Sequence, residues 1–252
     1  RGLGAAMIGL PSIGGTVNIV TKSTDIEKGG NVMMTTGNDG YTKYGFKLST
    51  GLLENDWAAT VSLSRTTGEQ FVDATTIDAY SYFLNVAKKI GENHELSFTA
   101  FGAPQRHGQR QNRLLIDDYR RSERGIRTNT DFGYKNGQLV NIEDNFYHKP
   151  QMSLNHYWTI NDISSLTTAV YYSFGTGGGG GTAGTNKFGK YDTDYRTQEF
   201  GPVNLDKIIA ENKALGQATS AETFLRASRN NHQWYGALST YNTELTEYID
   251  LT

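Results

Sequence analysis

The strongest constraint on this chain is an alternation of apolar and polar residues with a period of two, which recurs in eight segments between positions 31 and 240. In residues 57–64, Trp57, Val61 and Leu63 fall on one side of the alternation, and Thr60 and Ser62 fall on the other. Side chains of a strand point alternately to its two faces. The segments run for roughly nine to twelve residues, near the length of a tilted membrane strand and above the ~5–6 residues usual in soluble sheets. The pattern predicts long strands with one apolar face and one wet face.

The connections between these segments alternate in length. Those after the second, fourth and sixth segments are short, whereas the third, fifth and seventh segments are followed by longer connections, of which the last two occupy about 104–150 and 175–231. Barrels of the outer membrane have tight turns at one end and long loops at the other. We therefore predict an all-β fold, a transmembrane antiparallel β-barrel, of which this chain supplies eight strands and the beginning of a ninth near Tyr248.

The composition agrees with this fold class and excludes others. Glycine is abundant at 29 and proline scarce at 4, and there is no cysteine, which excludes a disulfide framework and a thiolate metal site. No apolar run approaches the ~20 residues of a membrane helix. The mean hydropathy of −0.54 is compatible with a barrel, because barrel strands are apolar on one face only. A net charge of −2, with few aromatics among the basic residues, predicts no nucleic-acid partner.

A short motif near the start carries a more specific signal. Residues 13–22 consist of a Gly-Gly pair, a short β-prone segment and a polar exit. The string resembles the segment that ends the plug domain of TonB-dependent outer-membrane transporters, and 37–41 and 98–104 add to the resemblance. The residues that carry the plug-end motif are Gly14, Gly15, Thr16, Asn18, Thr21 and Lys22.

The resemblance implies a domain organisation. Residues 1–24 would be the C-terminal end of the plug, 25–30 a linker, and 31–252 the N-terminal part of a barrel that has twenty-two strands in the family. The regions 104–150 and 175–231 would be long external loops. The chain begins at Arg1 and stops at Thr252 in what reads as a strand, so we expect it to be a piece of a longer polypeptide.

The resemblance also implies a function. The whole protein would import a scarce nutrient, of the siderophore-iron, cobalamin or glycan class, across the outer membrane of a Gram-negative bacterium. Its partners would be the TonB–ExbB–ExbD complex, engaged through an upstream segment, together with outer-membrane lipid and a small nutrient ligand. It would be no enzyme and would hold no cofactor.

Two other readings compete with this function. A passive porin or adhesion barrel would share the strands but would have no plug to end. A soluble carbohydrate-binding β protein would stay monodisperse without detergent. The residues upstream of Arg1 would separate the first two readings, and partitioning into detergent would separate the third.

The region 104–150 is rich in arginine. Arginine pairs bidentately with carboxylate and phosphate, so a loop of this kind can contact ligand or lipopolysaccharide. The competing interpretation is a solvated loop with internal ion pairs. The candidate contact residues are Arg106, Arg110, Arg113, Arg120 and Arg121.

Other stretches carry weaker expectations. The run Gly177–Gly181 lacks the Lys-Ser/Thr of a phosphate loop, and we expect a flexible loop there. Residues 192–194 have two acids but no complete calcium pattern. Residues 203–215 have helical periodicity with Asn204 or Asp206 as the cap. The histidines show no ligand spacing, and no catalytic set is evident, so we predict no metal and no catalytic residues.

Overall fold

The computed structural model describes residues 22–185, 187–216 and 220–252. Of the plug-end motif, Lys22 lies within these ranges, whereas Gly14, Gly15, Thr16, Asn18 and Thr21 lie outside the described residues.

A large antiparallel sheet forms the body of the structure. Nine strands pair in succession in the order β1-β2-β3-β4-β5-β10-β11-β13-β14, which confirms eight predicted strands and the start of a ninth. Two shorter strands, β6 and β9, insert between β4 and β11. The strands of this sheet are β1 Gly29–Thr36, β2 Thr42–Ser49, β3 Trp57–Gly68, β4 Ile77–Ile90, β5 His94–Gly102, β6 Gln105–Gly108, β9 Asp144–His148, β10 Gln151–Asn161, β11 Ser164–Gly184, β13 Thr223–Thr246 and β14 Ile249–Leu251.

The register sorts the two faces of the sheet as the alternation predicts. Leu63 lies opposite Tyr82, and Leu154 lies opposite Val170, on one side that we call the outer face. Asn85 lies opposite Thr99 on the other side, the inner face. Apart from the small Ala58 and Ala87, the buried side chains of the inner face are polar, as in a lumen that holds water rather than a packed apolar core.

The ends of the sheet differ as expected for an outer-membrane barrel. Connections at one end, which we call the turn end, are 50–56, 91–93, 162–163 and 247–248. At the opposite loop end they are 37–41, 69–76, 103–150 and 185–222. In the three-residue turn between β4 and β5, Gly91 has a positive φ of 62°, a conformation that glycine adopts without strain.

Strand β13 carries large side chains on both faces. Trp234 lies opposite Ser173 and Leu238 opposite Ala169, on the inner face. The outer face of β13 carries Tyr235. Both sides of this strand bear large apolar groups, so alternation alone does not decide its orientation, and pairing with β11 does.

The glycine run differs from expectation. Gly177–Gly181 is regular strand within β11, paired with β13 on one edge and partly with β9 on the other. A Cβ at Gly178 would come within 2.5 Å of the Ser228 carbonyl oxygen. The glycines therefore permit a close approach of neighbouring backbones instead of providing flexibility.

A small folded unit covers the loop end. It contains helices α1 Ile116–Arg121 and α2 Leu205–Ala214, and a sheet of β12 Val203–Asn204, β7 Phe132–Lys135 and β8 Gln138–Asn141. We call the described residues of 109–142 and 185–222 the loop cap. Ile142, Val203, Leu205 and Ile208 form its buried apolar core.

The second helix confirms a sequence prediction. Helix α2 falls within the predicted 203–215, and the Asn204 side chain caps it by accepting a hydrogen bond from the Lys207 N–H at 3.0 Å.

Candidate ligand site at the loop end

The residues that follow the plug-end motif rest on the inner face of the sheet. The Ser23 hydroxyl donates to Thr60 Oγ1 at 2.9 Å, and Thr24 donates to the Glu95 carboxylate at 3.3 Å. Lys22 Nζ lies 5.5 Å from the centroid of the Tyr157 ring. The chain thus enters the sheet from its polar side.

The five candidate arginines have different environments. Arg106 lies on β6 and pairs with Asp144, and Arg110 donates to the carbonyls of Ile126 and Thr128. Arg121 bridges Asp117, Asp118 and Glu199. Arg113 and Arg120 are exposed and have no side-chain partner among the described residues. Internal ion pairs therefore occupy some of these cations and leave others free for a ligand.

Asp118 is the centre of the polar network in the loop cap. Its side chain is 1% exposed and accepts hydrogen bonds from the Leu115 N–H at 2.8 Å, Lys190 Nζ at 3.1 Å and the Tyr191 hydroxyl at 3.0 Å. Burial alone would raise the pKa of Asp118, but these donors outweigh it and lower the pKa to about 2. The carboxylate is therefore ionised at neutral pH and fixes Lys190 in place.

A second buried charge organises the other side of the loop cap. Arg196 donates to the carbonyls of Phe188, Gly189, Gly201 and Thr130 at 2.6–3.0 Å. Burial lowers the pKa of Arg196 to about 10, so it remains cationic at neutral pH. These bonds tie three segments of backbone together without a direct carboxylate partner.

Asp131 fixes the segment that carries Arg113. Its buried carboxylate accepts hydrogen bonds from the backbone N–H groups of Gln111 at 2.6 Å and Asn112 at 2.8 Å. The residue next in sequence, Arg113, is thereby held at the edge of the loop cap.

A cleft of about 500 Å³ opens between these two networks. Arg113, Lys190, Tyr191 and Asn112 line it, and Lys190 Nζ also contacts the Arg113 carbonyl at 3.2 Å. The Asp131 carboxylate also lines the cleft and accepts from the Asn112 amide, while Lys190 and the Tyr191 hydroxyl donate to Asp118. Arg113 keeps its side-chain donors, and a guanidinium binds carboxylate or phosphate oxygens. The volume of the cleft lies in the range of small-ligand sites.

A neighbouring cleft of about 430 Å³ has a different character. Its arginines are neutralised, because Arg124 pairs with Asp73 at 2.8 Å and Arg127 pairs with Asp39. These contacts link the loop cap to the connections 69–76 and 37–41, and we assign them a structural role.

The described residues form neither a metal-binding cluster nor a membrane-spanning helix. In 22–185, 187–216 and 220–252, no group of three or more His, Cys, Asp or Glu residues is arranged to hold a metal ion. Within the same ranges, no helix has the length and apolar character needed to cross a membrane.

Comparison with known proteins identifies the architecture. The structure superposes on the open form of the ferric-catecholate import receptor Fiu from E. coli K12, with a TM-score of 0.62 over 91% of this chain. The chain has the barrel fold of this import receptor. The closed form of the same receptor matches with a TM-score of 0.57 over 92% of this chain. The predicted family resemblance and fold class are thus confirmed at the level of the fold.

The similarity lies in the fold rather than in the sequence. Identity to either form of the receptor is 12%, and the chain spans about a third of that receptor's length, 33% and 31% in the two forms. No protein-family model and no curated protein matches the sequence. Residue roles in the cleft must therefore be argued from its own geometry.

Proposed function

We propose that this chain is part of an outer-membrane transporter that imports a scarce nutrient in an energised, TonB-dependent manner. The observation that carries the proposal is the match over 91% of the chain to a ferric-catecholate import receptor. In this function the TonB–ExbB–ExbD complex is the energy-coupling partner, outer-membrane lipid surrounds the outer face, and the loop end faces outside the cell.

The substrate class we propose is an anionic iron chelate of the siderophore type. Arg113 supplies a positive charge that no carboxylate of the described residues pairs with, and the Tyr191 hydroxyl that lines the same cleft donates to Asp118. Lys190 is already committed to Asp118, whereas Arg113 has no partner within the described ranges and keeps its donors for a ligand. Arg113 is therefore the principal ligand contact, and the buried Asp118 and Arg196 hold the walls of the cleft.

Uptake by the full-length protein tests this function. Cells that carry it should accumulate radiolabelled iron from a ferric catecholate only when the energy-coupling complex is intact. The variant Arg113→Gln should lose about tenfold in ligand affinity, the usual cost of one charge-assisted hydrogen-bonding partner. Its matched control is Arg120→Gln, because Arg120 is also exposed and unpaired but does not line the cleft.

Two results would contradict the proposal. Accumulation that persists without the energy-coupling complex would indicate a passive porin instead. Equal loss of affinity in the Arg113 and Arg120 variants would remove the cleft from the ligand path, because the two substitutions change charge identically.

A further inference from the structure

The outer face carries two rows of side chains that the predicted function does not use. At the turn end, the register places Ile90, His94, Trp158, Leu166 and Tyr241 side by side across five strands. At the loop end it places Asp78, Arg106, Phe146, Gly178 and Arg229 side by side.

The separation of the rows matches a membrane. On β11 the rows are twelve positions apart, from Leu166 to Gly178, and on β13 the interval from Tyr241 to Arg229 is the same. Twelve residues span about 40 Å along a strand, or about 28 Å along the membrane normal at a 45° tilt. An apolar band about 25 Å tall, flanked by aromatic girdles, fits between them.

The layers between the rows have the corresponding chemistry. Leu154 and Val170 lie opposite each other in the middle of the span. Nearer the loop end an aromatic layer follows, in which the Tyr82 hydroxyl lies 2.9 Å from His148 Nε2 and the His148 ring lies 6.4 Å from Phe174. Beyond these rings the outer face carries charged groups, in which Asp78 pairs with Arg65 and Asp144 pairs with Arg106, while Arg229 is left without a carboxylate among the described residues. The sequence of layers is hydrocarbon, then interface, then charge.

Two arginines of this charged layer lie beside the ring of Phe146. The guanidinium groups of Arg106 and Arg229 each lie 5.9 Å from the centroid of its ring. Arg106 uses Nε and Nη2 for Asp144 and remains 72% exposed, so its Nη1 is open to solvent. Arg229 is exposed and has no carboxylate partner in the part of the chain that the structure describes.

We infer that Arg106 and Arg229, positioned by Phe146, bind a phosphate of lipopolysaccharide in the outer leaflet. A guanidinium pair at the upper edge of the apolar band meets the phosphorylated headgroup at the depth where acyl chains end. Stacking on one ring orients both forks, and arginine binds phosphate bidentately. Gly178 leaves the space between Phe146 and Arg229 open. This inference rests on the proposed outer-membrane location.

The test measures lipid binding by the full-length receptor in phosphatidylcholine nanodiscs. The probe is lipid A with two phosphates, compared with the same lipid A after both phosphates are removed, and retained lipid is counted by native mass spectrometry. We expect the wild type to prefer the phosphorylated form by at least about tenfold. Arg106→Gln and Arg229→Gln should each reduce this preference, and the double variant should lose it.

The matched control is the double variant Arg120→Gln and Arg226→Gln. Arg226 lies on the same strand as Arg229 but on the opposite face, opposite Gly181, and the control changes charge by the same amount. It should keep the wild-type preference. Heat-modifiable migration of every variant verifies that the barrel is folded.

Three outcomes would overturn the inference. They are a retained preference in the Arg106/Arg229 double variant, an equal loss in the control, and displacement of lipid A by the same concentration of inorganic phosphate, which would indicate a site for the free ion. Transport and lipid binding are measured separately. A receptor that fails to import iron but keeps its phosphate preference contradicts only the proposed function.

Discussion

At the scale of single residues, the structure of the loop cap depends on two buried charged side chains, Asp118 and Arg196. Asp118 is covered by its neighbours and holds Lys190 at the cleft, while Arg196 satisfies four carbonyls. Truncating one partner of such a network leaves the others buried and unsatisfied, which costs more than the net value of each bond. The cleft is therefore a rigid site whose walls are set by groups that do not touch ligand.

The contribution of Asp118 to the stability of the loop cap can be tested by varying the pH, because its pKa is lowered in the folded protein. Its folded-state pKa of about 2 is below the ordinary 3.8, so the stabilisation is present above 3.8 and is lost as the pH falls toward 2. Hydrogen–deuterium exchange should show constant protection of α1 near neutral pH and a decline between these two values. Asp118→Asn should lower that protection about tenfold at neutral pH.

Asp117→Asn is the control for this experiment. Asp117 neighbours Asp118 on α1 and also pairs with Arg121, but its side chain is 70% exposed. Exposed pairs contribute little. If both variants lose the same protection, the buried network is not what holds the helix.

At the scale of elements, the top of β11 shows how closely the strands approach. A Cβ at Gly178 would meet the Ser228 carbonyl oxygen at 2.5 Å, whereas a Cβ at Gly179 has nothing within 4 Å. The strand therefore has room for a larger side chain at Gly179 but not at the adjacent Gly178. The difference follows from what surrounds each Cβ position, which is the Ser228 carbonyl beside Gly178 and open space beside Gly179.

Alanine substitution should separate these two glycines. Gly178→Ala should destabilise the paired ends of β11 and β13 by about 1–3 kcal/mol, the usual cost of forcing extra volume into a packed site. Gly179→Ala should be neutral or slightly stabilising, because glycine is unfavourable inside a strand. Amide exchange of residues 226–230 in the full-length protein measures the effect. Similar exchange in the two variants would contradict the close approach at Gly178.

The same elements show what a sequence can predict here. Strands with one apolar and one polar face, such as β3, were identifiable because their side chains report the two environments. The prediction of a flexible loop at the glycine run is wrong, because glycine has no side chain to carry the alternation. The alternation does not assign the faces of β13, because Trp234 and Tyr235 give both faces an apolar signal.

The candidate site was less predictable than the fold. Arg113 was identified as a candidate from the arginine-rich stretch, but its partner in the cleft, Lys190, was not. The contact between Asp118 and Lys190 joins positions 72 apart, across two separate connections. No local pattern records such a contact, since it depends on how the loop cap folds.

At the scale of the whole molecule, the loop cap and the sheet are stabilised separately. The two long connections form one apolar core in the loop cap, and the strands of the sheet pair with one another. Ile142 comes from the first long connection, and Val203 and Leu205 come from the second, yet they form one apolar core. The strands below are held by the hydrogen bonds between neighbouring strands of the sheet. Loop-cap folding and barrel assembly should therefore be separable.

Loop replacement in the full-length protein tests this separation. Replacing 187–216 with a short Gly-Ser linker removes three of the four residues of the shared core, so the segment 109–142 should also lose its fixed structure. Uptake should fall to the level of cells without the receptor. Replacing both segments should add little further loss, because residues that share one core are not energetically independent. Heat-modifiable migration should remain, since β11 and β13 keep their pairing. Loss of barrel folding after the single replacement, or additive losses of uptake from two partial effects, would mean that the loop cap and the sheet do not behave as separate units.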